Sequence, residues 1–88
     1  MEKVKEQFLK NEKKTDIKQI IVYNDDVNTF DWVIQSLIEV CNHDMIQAEQ
    51  CATLVHYKGK CGVKSGDYSE LEPYCYELLN RQISAVIE

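Results

Sequence analysis

Hydrophobic and polar positions follow two different periods in the first half of this chain. A β-branched run from Ile20 to Val22 stops at Asn24-Asp25-Asp26, which predicts a strand over residues 18–23 and a turn after it. Beyond the turn, apolar residues recur every three or four positions, as on one face of a helix. These positions are Phe30, Val33, Ile34, Leu37, Ile38 and Cys41. Asn28 with Asp31 resembles a capping box at the start of that helix.

A second helix is predicted between Asp44 and Gly59. Asp44, with Gln47 three residues later, fits an N-cap, and glycine commonly follows the last residue of a helix. The apolar positions between them share one face of the predicted helix: Met45, Ala48, Cys51, Ala52 and Val55.

The rest of the chain predicts a strand, a helix and a strand. Residues 60–64 form a short strand pattern, and residues 83–87 form another. Ser69 with Glu72 marks the start of the third helix. Proline is tolerated only in the first turn of a helix, so Pro73 indicates that the regular helix does not begin much before Ser69. Its inward positions are Leu71, Cys75, Leu78 and Leu79. The resulting order is β-α-α-β-α-β over residues 18–88, and residues 1–17, rich in Lys and Glu, are expected to form a flexible extension.

Charge and cysteine content narrow the classes of partner. Residues 19–88 carry four Lys or Arg against eleven Asp or Glu, so the predicted domain is acidic. This balance argues against nucleic acid and favours a cationic or neutral ligand. The four cysteines contain no C-x-x-C pair and are expected to be reduced core thiols, without a metal or other cofactor. The N-terminus has no apolar run for secretion or membrane insertion, so a cytoplasmic protein with no membrane partner is predicted.

The residues with the most specific chemistry are Asn24, Asp25, Asp26 and His56. A protonated α-amino group has three N–H donors and one charge, and these four side chains offer the acceptors and negative charge that it requires. Other interpretations remain open from the residues alone. The two aspartates are typical of a turn or a helix cap. A histidine at the end of a helix often interacts with the last carbonyls, and Phe30 is typical of an ordinary core position.

Two segments of the chain resemble the ClpS family, adaptors that pass proteins with destabilising N-terminal residues to a Clp ATPase and its protease. They are Asn24-Asp25-Asp26 and Val55-His56-Tyr57-Lys58-Gly59-Lys60, followed by Cys61-Gly62-Val63. The resemblance covers residues 18–88 and implies an α+β fold, a three-stranded antiparallel sheet packed against three helices. It further implies that Asn24, Asp26 and His56 bind the α-amino group, assisted electrostatically by Asp25.

The resemblance also implies a hydrophobic pocket for the first side chain of the bound polypeptide. Its walls fall on Asn28, Thr29, Phe30, Val33, Ala52, Val55 and Ile83. Many family members have Thr-Pro-Met where this chain has Asn28-Thr29-Phe30, and Met where it has Ala52. These differences predict retained binding with a shifted preference among Leu, Phe, Tyr and Trp. At the ATPase-contacting surface, Val27 replaces a Tyr that is common in the family.

The implied partners are a ClpA- or ClpC-type AAA+ ATPase with ClpP, and N-degron proteins or peptides that start with Leu, Phe, Tyr or Trp. A non-catalytic monomer is expected. Two alternatives stand beside this hypothesis. In the first, Asp25, Asp26 and His56 serve an enzyme as metal ligands or as acid and base. In the second, the domain is a scaffold that docks on a Clp ATPase without binding degrons.

Overall fold

The structure, a computed structural model, describes residues 16–88. It contains β1 (Lys18–Tyr23), α1 (Phe30–Cys41), α2 (Met45–Lys58), β2 (Lys60–Gly66), α3 (Tyr68–Asn80) and β3 (Ala85–Ile87). The predicted order of elements is therefore confirmed. The extension predicted for residues 1–17 falls mostly on residues 1–15, which lie outside the described residues.

The three strands form one antiparallel sheet with β1 in the centre. Its order is β2-β1-β3, and Val22 of β1 lies opposite Cys61 on one side and Ala85 on the other. Ile20 and Val22 are buried, whereas Ile21 between them is only half-buried, as expected when alternate side chains point to opposite faces of a strand. The buried face of β1 packs on the helices, so the three-helix, three-stranded α+β fold is confirmed.

The core draws on all three helices and all three strands. Its most completely buried large side chains are Ile20, Leu37, Leu71, Leu78, Ile83, Val22 and Ser36. All four cysteines are free, and three of them are buried while Cys61 is half-buried. Burial raises the pKa of the Cys41 thiol to about 11 and, together with the neighbouring Cys61, that of Cys51 to about 12. Both thiols are therefore protonated core side chains at neutral pH.

Two of the predicted helix starts are wrong by one or two residues. The N-cap of α1 is Thr29, whose hydroxyl accepts a hydrogen bond from the Trp32 N–H, and not Asn28. The cap of α3 is Asp67 in a reciprocal box with Glu70, and not Ser69 with Glu72. In both places two cap-forming residues stand close together in the sequence, and the one that faces the free N–H groups of the first turn becomes the cap.

Three side chains predicted to face the core are exposed. Phe30, Met45 and Leu79 have 44%, 56% and 49% of their surface accessible. The first two begin their helices and the third lies in the last turn of α3, where the other elements do not cover the apolar stripe. The Asp44 cap and the Gly59 end of α2 are confirmed, β2 continues to Gly66, and β3 begins at Ala85.

Candidate functional site

The end of the central strand lies against the last turn of α2. The Asn24 N–H donates a hydrogen bond of 2.9 Å to the Gly59 carbonyl. Gly59 has a φ of 95°, a left-handed conformation that lets the chain leave α2 and enter β2 at once. His56 is in that same last turn, so the backbone alone brings the asparagine and the histidine to one place.

An open cavity of about 560 Å³ forms at this junction. It is lined by Asn24, Asp25, Asp26, Asn28, Phe30, Thr53, His56 and Tyr57. The structure therefore brings together the four polar residues singled out from the sequence, although β1 and α2 are separated in the chain by α1. We call this cavity the outer cavity.

Asp25 differs from the other polar residues because its carboxylate is already occupied. One carboxylate oxygen accepts the backbone N–H groups of Val27 and Asn28, both at 2.9 Å. The other accepts the Asn28 side-chain amide at 2.8 Å and the Ser84 hydroxyl at 3.3 Å. Partial burial opposes ionisation of Asp25, but these hydrogen bonds outweigh it and hold its pKa below the ordinary value. Asp25 therefore stabilises the turn through these hydrogen bonds, and its ionised carboxylate places negative charge at the outer cavity.

The turn between β1 and α1, together with the start of α1, is also hydrogen-bonded to the segment between α3 and β3. The Asn28 amide donates a second hydrogen bond, of 2.7 Å, to the Gln82 carbonyl, and the Trp32 indole N–H donates one of 3.1 Å to the Arg81 carbonyl. Gln82 itself adopts a positive φ of 70°. These contacts fix the polar residues before any ligand arrives.

Asn24, Asp26 and His56 have no side-chain hydrogen bond to any partner within residues 16–88. The His56 ring meets the neighbouring Tyr57 ring edge-on, with 4.7 Å between the ring centres. All three side chains line the outer cavity. The C-terminal end of α2 adds partial negative charge at the same place. The arrangement suits a ligand that is cationic and rich in hydrogen-bond donors.

A smaller recess, with polar residues at its opening and apolar ones among its walls, adjoins the outer cavity. It measures about 30 Å³ and is lined by Asn24, Asn28, Thr29, Phe30, Val33, Ala52, Val55 and His56. Phe30 lines both cavities, so its half-exposed ring stands between the recess and the open space. Ile83, also predicted as a wall residue, is 2% exposed in the core and lines neither cavity.

Two lining residues were absent from the sequence prediction, Thr53 and Tyr57. A signal for both was present. Thr53 is three positions before His56 and so occupies the same face of α2, while Tyr57 follows His56 directly.

Two further properties of the described region bear on the class of the protein. Within residues 16–88, no group of three or more His, Cys, Asp or Glu side chains is placed to hold a metal ion. Across the same residues, each helix is too short or too polar to cross a bilayer.

Comparisons with known proteins match this chain to a sequence family and to solved structures. The sequence model of one family, described as "ATP-dependent Clp protease adaptor protein ClpS", matches residues 13–85. The structure resembles that of Agrobacterium tumefaciens ClpS2 bound to L-phenylalaninamide, with a TM-score of 0.75. The two chains are 17% identical, and the match covers 82% of this chain and 94% of the other. At that identity the structural likeness establishes a common fold.

Proposed function

The chain belongs to the ClpS family of ATP-dependent Clp protease adaptor proteins, and on that premise we propose that it is an N-recognin. It binds the free α-amino group and the bulky hydrophobic first side chain of N-degron substrates. It then delivers them to a ClpA- or ClpC-type AAA+ ATPase for degradation by ClpP. The observation that carries this proposal is a set of three polar side chains that line one open cavity and have no side-chain hydrogen bond to any group of residues 16–88.

Asn24, Asp26 and His56 are the direct ligands of the α-amino group. An ammonium group has three N–H donors, and an amide oxygen, a carboxylate and a neutral imidazole nitrogen are three acceptors. The Asp26 carboxylate supplies the opposite charge, which makes its hydrogen bond the strongest of the three. Asp25 contributes charge through space, since its own hydrogen-bonding capacity is used by the turn.

The smaller recess beside these ligands accepts the first side chain of the substrate. Val33, Ala52 and Val55 form its floor, and Phe30 stands at its mouth. A recess of about 30 Å³ is too small for Leu, Phe, Tyr or Trp, so it has to widen when such a side chain enters, and we expect the half-exposed Phe30 ring to rotate outward. The outer cavity of about 560 Å³ provides the space for that rotation. The ligand class agrees with L-phenylalaninamide, the ligand bound to Agrobacterium tumefaciens ClpS2, which has an aromatic side chain and a free α-amino group.

Delivery completes the proposed function. The adaptor domain, residues 18–88, acts as a cytoplasmic monomer, and residues 1–17 are the extension that the ATPase engages. Val27 has 77% of its surface exposed beside the site, where it is available for contact with the ATPase.

Fluorescence anisotropy with labelled peptides tests recognition directly. The peptides begin with Leu, Phe, Tyr, Trp, Ile or Ala, and each is made with a free and an acetylated N-terminus. Acetylation removes the charge and leaves acceptors unpaired, so affinity for the large unbranched residues is expected to fall by about 2–3 kcal/mol, or roughly 30-fold to 150-fold. Equal binding of free and acetylated peptides would contradict the proposal. Absence of binding by every free peptide would favour a scaffold that docks on a Clp ATPase without recognising degrons.

A further inference from the structure

Helix α3 and strand β3 border an apolar groove of about 470 Å³, which shares no lining residue with the two cavities of the proposed α-amino site. We call it the α3 groove, and its lining includes Tyr68, Glu72, Tyr76, Leu79 and Ile87. Tyr68, Tyr76 and Leu79 have 53%, 66% and 49% of their surface accessible. Packing within residues 16–88 therefore leaves a large apolar surface uncovered, and a groove of this size can hold a few side chains.

The α3 groove is bordered by negative charge. Glu72 lines it, and α3 contains three Glu but neither Lys nor Arg. Glu88 directly follows Ile87, the lining residue from β3. A second copy of the domain would bring the same acidic surface against this one, and like charges oppose that contact. The groove therefore favours an apolar segment that carries positive charge beside it.

The first fifteen residues of the chain have this composition. Their sequence contains five Lys and three Glu, a net charge of +2, and its apolar residues after Met1 are Val4, Phe8 and Leu9. Phe8 and Leu9 are adjacent, and Lys10 follows them directly. The pair provides two large apolar side chains for the groove, and the lysine provides a positive charge for its acidic border.

The chain enters the fold close to the α3 groove. Lys18, the first residue of β1, pairs with Gly66, just before α3 begins. On the other side of β1, the Gln19 N–H donates a hydrogen bond of 3.1 Å to the Glu88 carbonyl, next to β3. Residues 10–17 connect the apolar pair to β1 and can span up to about 26 Å, whereas neighbouring strands are only about 4.8 Å apart. The connection is therefore long enough for the pair to reach the groove, and it keeps their effective concentration high.

We propose that the α3 groove binds Phe8 and Leu9 of the N-terminal extension of the same chain. The two side chains cover the exposed rings of Tyr68 and Tyr76, and the neighbouring Lys10 is attracted by the acidic border. The extension is then held against the domain, and the ATPase has to release it in order to engage it. That consequence rests on the proposed function, whereas the docking itself does not depend on degron binding.

Nuclear magnetic resonance spectroscopy of the full chain tests the contact. Docking is expected to produce nuclear Overhauser effects between the Phe8 ring or the Leu9 methyl groups and side chains of the α3 groove. The variant Phe8→Ser/Leu9→Ser is expected to lose these effects and to shift the resonances of the groove, but not those of the α-amino site. Gln7→Ser/Asn11→Ser is a matched control, because it changes two polar residues of the same segment and is expected to keep the contacts.

Tryptic cleavage after Lys10, followed by mass spectrometry, measures how much of the extension is free, because a docked segment is not available to the protease. Tyr76→Ser removes an exposed ring of the groove without changing the cleaved sequence, and it is expected to speed this cleavage about fivefold through lost apolar contact. Tyr57→Ser is the control. It removes a similarly exposed tyrosine from α2, outside the groove, and is expected to leave the rate within about twofold.

Charge reversal tests the acidic border separately. Glu72→Lys places like charges together when Lys10 is near the groove and is expected to speed cleavage about threefold. Glu49→Lys makes the same charge change at an exposed position of α2 that does not line the groove, so cleavage is expected to stay at the wild-type rate.

The possible occupants of the groove are distinguishable. If the wild type shows no contacts from Phe8 or Leu9 to the groove, or if Tyr76→Ser is cleaved at the wild-type rate, the proposal is refuted. Contacts that appear only at high protein concentration also refute it, because a second copy then fills the groove. Groove resonances that shift only when a Clp ATPase is added would assign the groove to that partner instead. Degron recognition, tested by anisotropy, stands or falls independently of these results.

Discussion

Asp25 and Asp26 are adjacent and chemically identical, yet the structure predicts opposite consequences for their removal. Asp25→Ala deletes an acceptor of four hydrogen bonds, from Val27, from two groups of Asn28 and from Ser84. At about 0.5–1.5 kcal/mol for each bond, reduced because the site is partly exposed, the loss of folding stability is about 2 kcal/mol. For a domain of this size that lowers the midpoint of thermal unfolding by roughly 8–16 °C.

Asp26→Ala removes a carboxylate that bonds to no other side chain of residues 16–88 and that caps no helix, since Thr29 caps α1. Its effect on stability is expected to stay within about 0.5 kcal/mol, as for other exposed substitutions. Its effect on binding is expected to be large, because a charge-assisted hydrogen bond to the ammonium contributes about 1.5–3 kcal/mol, which is roughly 10-fold to 150-fold in affinity.

Two measurements on each variant check this contrast, namely urea unfolding followed by circular dichroism and anisotropy of a peptide that begins with Phe. The expected pattern is a destabilised Asp25→Ala that still binds when folded, and a stable Asp26→Ala that binds roughly 10-fold to 150-fold more weakly than wild type. The reasoning is refuted if Asp26→Ala unfolds as easily as Asp25→Ala and keeps its affinity, since Asp26 would then be a structural residue. Asp26→Asn serves as a matched control. It keeps an acceptor without the charge, so its affinity lies between those of wild type and Asp26→Ala.

Phe30→Ala removes a wall of the smaller recess and is expected to favour Trp over Leu as the first residue, relative to wild type; an unchanged ratio of affinities in anisotropy would show that Phe30 does not limit entry. His56→Ala removes one proposed acceptor and is expected to weaken binding of a peptide that begins with Phe, whereas His56→Gln keeps an acceptor and is expected to retain more of the affinity; equal affinities in anisotropy would show that His56 does not accept from the ligand. The depressed pKa of Asp25 stabilises the fold above its unfolded pKa of about 3.9, and that stabilisation is lost as pH falls through the lower folded value. The stability difference between wild type and Asp25→Ala is therefore expected to stay constant near neutral pH and to shrink in acid, and a difference that grew in acid would have the wrong sign. Gly59→Ala is expected to cost about 1–2 kcal/mol in urea unfolding from backbone strain alone, since a Cβ there meets nothing within 4 Å.

The order of elements was predictable because each segment has a clear period of apolar residues. The choice between two neighbouring candidates for a helix cap was not predictable in the same way. Both Asp67 with Glu70 and Ser69 with Glu72 have the spacing of a capping box, and the structure selects the first. Pro73 favoured the later start because proline beyond the first turn of a helix removes a hydrogen bond and clashes with the preceding turn. It is instead accommodated in the second turn of α3, with the Ser69 carbonyl lacking its usual N–H partner.

The composition of the site was predictable, but the division of roles within it was not. The sequence places two carboxylates, an amide and an imidazole at the ends of β1 and α2, and these groups suit an ammonium ion. Asp25 is occupied mainly by local bonds from Val27 and Asn28, and a fourth bond comes from Ser84, which lies 59 positions away in the chain. Thr53 and Tyr57 are close to His56 in the sequence of α2, but this part of α2 lines a cavity only where β1 meets α2, with Asn24 bonded to Gly59 through the backbone. If Asp25 builds the turn and Asp26 holds the ligand, then the first aspartate has to satisfy four donors and the second only one. Glutamate at position 25 would therefore disturb the turn as well as the charge, whereas glutamate at position 26 would change only the reach of the carboxylate toward the bound amine.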